Sequence, residues 1–157
     1  ITAMTKILFV CHGNICRSPM AEFVMRDLLA KAGLDRQVVV ASAATSAEEL
    51  GNPVHPGTRK KLEEHGMSCG GKTARRLTRT DYAQYDWLIG MDAANLRNMR
   101  AMLGGDPEGK MALLLSFCGE TADVADPWFT GDFDRTWQDV FRGCQALLAH
   151  IQNTKRG

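Results

Sequence analysis

The sequence has no long apolar run. Its longest uninterrupted apolar stretches, residues 7–11 and 111–115, have the length of a β-strand. A membrane-spanning helix needs roughly 20 consecutive apolar residues, so none is predicted. The beginning of the chain carries no positively charged segment followed by an apolar core, and a secretion signal is therefore not predicted either.

The sequence also has no excess of charge of either sign. Its 19 Lys and Arg residues are balanced by 18 Asp and Glu residues, for a net charge of +1. A nearly neutral protein produces no strong field that would attract nucleic acid or anionic lipid. We expect neither nucleic acid nor membranes as partners. Any affinity for an anion then has to come from a local site.

The five cysteines have the spacing of neither a disulfide framework nor a metal site. Their number is odd, no C-x-x-C pair occurs, and no Cys/His cluster has the spacing of zinc ligands. We expect reduced thiols in a cytoplasmic protein, with no metal and no cofactor. Cys118 and Cys144 are expected to be small buried apolar side chains.

Strand patterns alternate with helix patterns along the chain. The 157 residues suffice for one domain, which we expect to cover residues 4–157, with Met4 the natural start and residues 1–3 left over from expression. Strands are predicted at residues 6–10, 38–41, 87–91 and 111–115. Helices are predicted from Pro19 to a stop at Gly33, from Pro56 to a stop at Gly66, after a cap at Asp92, and over residues 132–150. The alternation predicts an α/β fold, with a parallel sheet and helices on both of its faces.

Residues 10–19, with the sequence VCHGNICRSP, connect the first strand to the first helix. Ligands bind at such junctions in open α/β sheets, where backbone N–H groups and the helix dipole favour an anion. Gly13 is expected to adopt a backbone angle that a side chain would resist. Asn14 is expected to take the left-handed conformation while its amide ties the loop together, and Ser18 to cap the helix.

Three side chains of this loop indicate chemistry at phosphorus. A thiol at Cys11, beside a helix N-terminus and an arginine, ionises more readily than a free thiol. Arg17 carries a planar fork that matches two phosphate oxygens. Ser18 can donate its hydroxyl to the sulfur as well as capping the helix. Each residue alone has an ordinary structural explanation, but together, at this spacing, they predict phosphoryl transfer to sulfur.

The pattern Val10-Cys11-x-Gly13-Asn14-x-Cys16-Arg17-Ser18-Pro19 resembles the signature of the low-molecular-weight protein tyrosine phosphatases. The similarity continues at Gly90-Met91-Asp92 and at Asp126-Pro127-Trp128, and so extends over essentially the whole chain. It implies a four-stranded parallel sheet in a Rossmann-like fold, no metal, a phosphocysteine intermediate and phosphotyrosine-containing proteins as substrates.

The resemblance also implies roles for individual residues. Cys11 would be the nucleophile, Arg17 the phosphate-binding cation, and Asp126 the general acid and then the general base. Ser42 would support the loop by bracing Asn14. The substrate would be bound by His12, Gly13, Asn14, Ile15, Cys16, Ser18, Trp128 and Phe129. For the two aromatic residues, a place in the core is the alternative.

Other positions carry more than one interpretation. Cys16 is either a thiol that traps oxidised Cys11 as a disulfide or a small residue that fills the loop. Residues 66–73, GMSCGGKT, match a nucleotide-binding pattern but follow a charged helical stretch instead of a strand, so no nucleotide site is predicted. Lys72 stands near a position where many relatives have histidine. Glu48 and Glu49 stand where some relatives have an aromatic and an amide, and are expected to disfavour acidic phosphopeptides.

Three alternative functions remain open from the sequence. Arsenate reductases share the loop but need a further cysteine pair, and the other cysteines here are widely spaced. Protein arginine phosphatases have threonine at the position of Ile15, where an apolar side chain suits an aryl phosphate better. From a different class, the protein would be a non-catalytic phosphate-binding or thiol-sensing module, which the joint presence of Cys11, Arg17 and Asp126 disfavours.

Overall fold

The computed structural model describes the backbone of residues 4–156 and the side chains of residues 4–154. The expected remnant, residues 1–3, lies outside the described residues. Within them, four strands form one sheet: β1 (Thr5–Cys11), β2 (Val38–Ala44), β3 (Trp87–Gly90) and β4 (Met111–Leu113). Neighbouring strands pair in parallel in the order β2-β1-β3-β4. The predicted four-stranded parallel sheet is confirmed.

Helices connect the strands and follow the last one. In the described part of the chain they are α1 (Arg17–Lys31), α2 (Pro56–Glu64), α3 (Arg79–Gln84), α4 (Ala93–Leu103), α5 (Pro127–Thr130) and α6 (Phe133–Arg156). A 3₁₀ helix spans Leu114–Cys118. None of the helices within residues 4–156 is both long enough and apolar enough to cross a membrane.

The central strand β1 is buried on both faces, with residues 7–10 fully inaccessible. Side chains alternate across a strand, so Ile7 and Phe9 pack into a core with α1 and α6. Leu8 and Val10 pack into a second core with residues of α3 and α4. A strand that is covered on both faces needs a continuous apolar run, which is what the sequence shows here. The prediction of helices on both faces is confirmed.

The prediction of a strand over residues 111–115 is wrong at its end. The strand β4 stops at Leu113, and the next residues form the 3₁₀ helix that packs against α6. Gly143 permits this close approach, because a Cβ at this position would lie 2.6 Å from Leu114 Cγ. A short run of buried apolar residues is compatible with a strand or a helical turn, so the sequence pattern alone does not separate them.

Several other boundaries differ from those predicted. The strand β2 continues to Ala44, β3 ends at Gly90, and α6 continues past residue 150. The short helices α3 and α5 are not predicted, because six and four residues are too few to show a 3.6-residue periodicity. The predicted stops at Gly33 and Gly66 are confirmed by left-handed backbone angles, with φ of 72° and 77°.

Candidate active site

A cleft of about 260 Å³ lies at the carboxyl end of β1. It brings together residues of the first loop, the segment after β2 and the start of α5, which are far apart in the sequence. Its lining consists of Cys11, His12, Gly13, Ile15, Cys16, Arg17, Glu48, Glu49, Asp126, Trp128 and Phe129. Of the predicted site residues, Asn14, Ser18 and Ser42 are buried and are not among those lining the cleft.

Asn14 organises the loop, as predicted. Among the residues that the structure describes, Asn14 is the non-glycine residue with a positive φ, 59°. Its side-chain amide donates to Ser18 Oγ at 2.8 Å and to Ser42 Oγ at 2.9 Å. Its carbonyl oxygen accepts from the backbone N–H of Arg75 at 3.1 Å. The expectation for Gly13 is wrong, because its φ is not positive. A Cβ at Gly13 would instead meet Glu49 Cγ at 3.4 Å.

Ser18 contacts the sulfur of Cys11 and does not cap the helix. The helix α1 begins at Arg17, its N-cap residue is Cys16, and no side chain caps it. Ser18 Oγ lies 3.0 Å from Cys11 Sγ and accepts from the Asn14 amide. Because the hydroxyl oxygen is already an acceptor for Asn14, its own hydrogen is free to point at the sulfur. Of the two contacts expected of Ser18, the structure has the one with Cys11 and lacks the cap.

Arg17 is almost completely buried, at 2 % exposure, and is held by acceptors from distant segments. Its Nη1 donates to Asp92 Oδ2 at 2.6 Å and to Val124 O at 3.0 Å, and its Nη2 lies 3.4 Å from Asp126 Oδ2. Burial lowers the pKa of Arg17, but the negative charges of Cys11, Asp92 and Asp126 outweigh it and leave the pKa above its ordinary value. The guanidinium therefore stays charged.

Asp92 has a contact that the sequence analysis missed. As predicted, it caps α4, since its Oδ1 accepts from the backbone N–H of Asn95 at 2.7 Å. Its other oxygen holds Arg17. The signal was available in principle: a carboxylate directly after β3 lies at the same sheet edge as a loop directly after the adjacent β1.

Asp126 is the N-cap residue of the short helix α5. Its Oδ1 accepts from the backbone N–H of Trp128 at 3.0 Å, while its Oδ2 faces Arg17. Trp128 and Phe129 are 58 % and 84 % exposed at the cleft, so the alternative place in the core is wrong for both. The start of α5 thus presents a carboxylate and two aromatic rings to the same space.

A buried polar network lies behind the loop. Ser42 Oγ donates to Glu22 Oε1 at 2.5 Å, and Lys72 Nζ donates to Ser42 O at 3.1 Å and lies 3.6 Å from Glu22. Burial lowers the pKa of Lys72, and Glu22 offsets part of that effect. Ser42 accepts a hydrogen bond from Asn14, and its role in supporting the loop stays a prediction. The nucleotide-like residues 66–73 follow α2, and their lysine is engaged in this network.

Cys16 and two pairs of polar residues at the rim also belong to the cleft region. Burial and the negative charges of Cys11 and Asp126 together raise the pKa of Cys16 to about 12, so Cys16 is a neutral thiol. At the rim, His12 Nε2 lies 3.0 Å from Glu48 Oε2, and Asn52 donates to Glu49 Oε2 at 2.5 Å. Within residues 4–156 no three His, Cys, Asp or Glu side chains are grouped so that they could hold a metal ion.

The fold and the cleft define a class of protein: a parallel α/β domain whose first strand-to-helix loop presents a cysteine and an arginine to a carboxylate. A family model described as low molecular weight phosphotyrosine protein phosphatase matches residues 6–156. The chain belongs to this family and is an enzyme of the cysteine-based phosphatase type.

Named relatives match over nearly the whole chain. The low molecular weight protein-tyrosine-phosphatase YfkJ of Bacillus subtilis is 42% identical, over 98% of this chain and 99% of its own. Its crystal structure superposes with a TM-score of 0.94 over 98% of both chains. PtpA of Staphylococcus aureus is 35% identical, over 98% of this chain and 100% of its own. The Drosophila arginine phosphatase DARP is 30% identical, with a TM-score of 0.84 over 94% of this chain and 98% of its own.

Proposed function

We propose that the enzyme hydrolyses phosphotyrosine in proteins through a phosphocysteine intermediate on Cys11, with Arg17 as phosphate ligand and Asp126 as general acid and base. The observation that carries the proposal is the arrangement of one cleft. It places the Cys11 sulfur beside the Ser18 hydroxyl and the buried Arg17 cation beside Asp126. Positioning and charge stabilisation are what phosphoryl transfer requires of a protein.

In the first step, the Cys11 thiolate attacks phosphorus in line, and the bond between phosphorus and the phenolic oxygen breaks. Protonated Asp126 gives its proton to that oxygen, so tyrosine leaves as a neutral phenol. Arg17 and the backbone N–H groups of the loop stabilise the equatorial phosphate oxygens. The Nε of Arg17 is buried without a hydrogen-bond partner among the described residues and is available to a phosphate oxygen.

In the second step, water attacks the phosphocysteine. Asp126, now a carboxylate, takes a proton from the water, the P–S bond breaks, and the electron pair returns to the Cys11 sulfur as thiolate. The Ser18 hydroxyl stabilises that thiolate as the leaving group. Inorganic phosphate then dissociates and the enzyme is restored.

An aromatic leaving group fits the lining of the cleft. Ile15 is apolar and lines the cleft at 8 % exposure, and the exposed rings of Trp128 and Phe129 can contact a phenyl ring. Phosphoarginine is the second candidate, because the carboxylates of Glu48 and Glu49 at the rim would pair with a guanidinium. The likeness to the Drosophila arginine phosphatase keeps this candidate worth testing.

An arsenate reductase relay has less support. It would need a second thiol pair, and Cys144 is fully buried in the core, where burial raises its pKa. We also propose that the chain acts as a single domain in the cytoplasm, since its five cysteines are free. A disulfide between Cys11 and Cys16 under oxidation is part of the same proposal.

The decisive assay compares phosphotyrosine and phosphoarginine within one peptide sequence. We expect a higher kcat/KM for phosphotyrosine, and a clear preference for phosphoarginine would overturn the substrate assignment. The Cys11→Ser variant should lose turnover of both while inorganic phosphate still binds. Normal hydrolysis by that variant would overturn the covalent mechanism, whichever substrate is preferred.

A further inference from the structure

His55 connects the phosphate-binding loop to the start of α2. Its backbone N–H donates to Ile15 O at 2.8 Å, and its ring Nδ1 accepts from the backbone N–H of Gly57 at 3.0 Å, which caps the helix. An acceptor Nδ1 carries no hydrogen, so its lone pair faces the N-terminus of α2. The backbone of His55 is therefore attached to the loop, and its ring has a defined orientation.

The same ring contacts two aromatic side chains. It stacks on Phe133, with centroids 5.0 Å apart and planes at 22°, and it meets Trp128 edge to face at 5.9 Å and 82°. Phe133 in turn lies so close to Gly57 that a Cβ there would be 2.5 Å from the ring. Phe133 thus supports the His55 ring by stacking, and the same ring contacts Trp128.

Trp128 matters because it is tied to Asp126. The Asp126 carboxylate accepts from the Trp128 backbone N–H, and Asp126 is the N-cap of the four-residue helix to which Trp128 belongs. So short a helix has little stability of its own and depends on tertiary contacts. The ring of Trp128 is more than half exposed, so its contact with His55 is a substantial part of what orients it.

We propose that His55 is a positioning residue for the general acid. Its ring orients Trp128, and through Trp128 the start of α5, so that the Asp126 carboxyl stays within reach of the leaving oxygen. The proposal rests on the role of Asp126 proposed above. A shift of about 1 Å in a reacting group can cost about a hundredfold in rate, so a modest loosening of α5 should be measurable.

The test uses two substrates that differ in their need for a general acid. Phenyl phosphate releases a basic phenolate that must be protonated, whereas the nitro group of p-nitrophenyl phosphate stabilises its leaving group. The quantity to compare is kcat/KM, since it reports P–O cleavage and is unaffected by later breakdown of phosphocysteine. His55→Asn keeps an acceptor that can cap α2 but removes the ring, and His55→Phe keeps a ring but removes the acceptor.

We expect His55→Asn to lose about tenfold in kcat/KM for phenyl phosphate and less than about twofold for p-nitrophenyl phosphate. His55→Phe should restore the wild-type ratio between the two substrates at a lower thermal midpoint. His65→Asn is the matched control, because His65 stacks on Trp137 instead of on Trp128 or Phe133. Its ratio should equal that of the wild type.

Equal losses for both substrates in His55→Asn, or a ratio that His55→Phe does not restore, would overturn the positioning role. If His55→Asn does not fold, Phe133→Leu removes the ring that stacks on His55 and should change the ratio in the same direction. Asp126→Asn distinguishes the role of Asp126 from that of His55. If it does not change the ratio, the proposed role of Asp126 fails. If it changes the ratio and the His55 variants do not, the inference about His55 alone fails.

Discussion

The hydroxyl oxygen of Ser18 lies 3.0 Å from the sulfur of Cys11 and at the same time accepts a hydrogen bond from Asn14. The fold has therefore oriented the hydroxyl as a donor toward the sulfur. This arrangement is ready before any substrate binds, because both serine and asparagine are buried and have no freedom to turn away. A thiolate formed by P–S cleavage would receive this hydrogen bond at once.

Replacing Ser18 by Ala should lower kcat by about 10- to 100-fold, since a hydrogen bond to a charged group contributes about 1.5–3 kcal/mol. The loss should fall mainly on breakdown of the phosphocysteine, where the thiolate is the leaving group. Rapid-mixing experiments with p-nitrophenyl phosphate should then show a burst of nitrophenolate. Ser116→Ala is the control, because its exposed hydroxyl donates to the nearby Leu113 O, away from the cleft residues. An unchanged kcat in Ser18→Ala would contradict the prediction.

Replacing Asp92 by Asn should weaken phosphate binding by about tenfold, because Arg17 would exchange a charge-assisted hydrogen bond for a neutral one. Asparagine is a good N-cap residue, so the thermal midpoint should change little. The measurement is inhibition by inorganic phosphate together with kcat/KM. Asp123→Asn is the control, because Asp123 accepts from Ala93 N at the same helix start and is exposed. Equal effects of the two variants would argue against a specific role for Asp92.

The carboxylates of Glu48 and Glu49 should favour substrates with basic residues next to phosphotyrosine. Changing both to Gln should lower kcat/KM for a basic phosphopeptide by about 2- to 5-fold for each carboxylate removed. The kcat/KM for a neutral phosphopeptide should stay nearly unchanged. The preference should also weaken with added salt. The matched control is the same double change to Gln at Glu63 and Glu64, the last two residues of α2. A preference for basic peptides that survives in the Glu48/Glu49 variant would show that other groups select the substrate.

Asp106 should make the fold sensitive to acid. Burial raises the pKa of Asp106, but hydrogen bonds from Tyr82, Lys110 and Met111 outweigh it, so the pKa lies below its ordinary value. The folded state then binds the proton less tightly than the unfolded state. The stabilisation is complete above the ordinary Asp pKa of about 3.9 and is lost as the pH falls through the lower folded value.

Asp106→Asn should therefore lower the free energy of unfolding by about 1 kcal/mol at neutral pH, and the difference from wild type should shrink below about pH 4. Chemical denaturation at several pH values measures this difference, in which the effects of all other carboxylates cancel. Asp35→Asn, at an exposed position, should show no such dependence. A difference that grows toward low pH would mean that the sign is wrong.

Much of the fold could be predicted because it depends on patterns between neighbours in the sequence. The apolar run of β1 and the glycines after α1 and α2 are local signals, and the structure agrees with them. The fourth strand was predicted too long, since its apolar pattern continues into a 3₁₀ helix whose packing against α6 no local pattern reports. The helices α3 and α5 are too short to have a periodicity of their own.

In the site, too, some features have a local signal in the sequence and others depend on tertiary contacts. Cys11, Asn14, Arg17 and Ser18 share one short loop, so their spacing in the sequence already implied an anion site with a thiol, and the family resemblance added Asp126. Ser18 was assigned two roles, and the structure retains only the contact with sulfur. Gly13 does not have the conformation expected of it, since its φ is not positive.

The sequence by itself therefore determined the chemistry of the loop, because a strand-to-helix turn places its own residues around one point. Only the tertiary structure decided what holds that chemistry in place. Arg17 reaches Asp92 and Val124 across separations of 75 and 107 residues, and His55 meets Trp128 from a different element. Such contacts depend on the parallel register of β1 and β3 and on the paths of the loops that follow these strands. No single stretch of sequence contains that information.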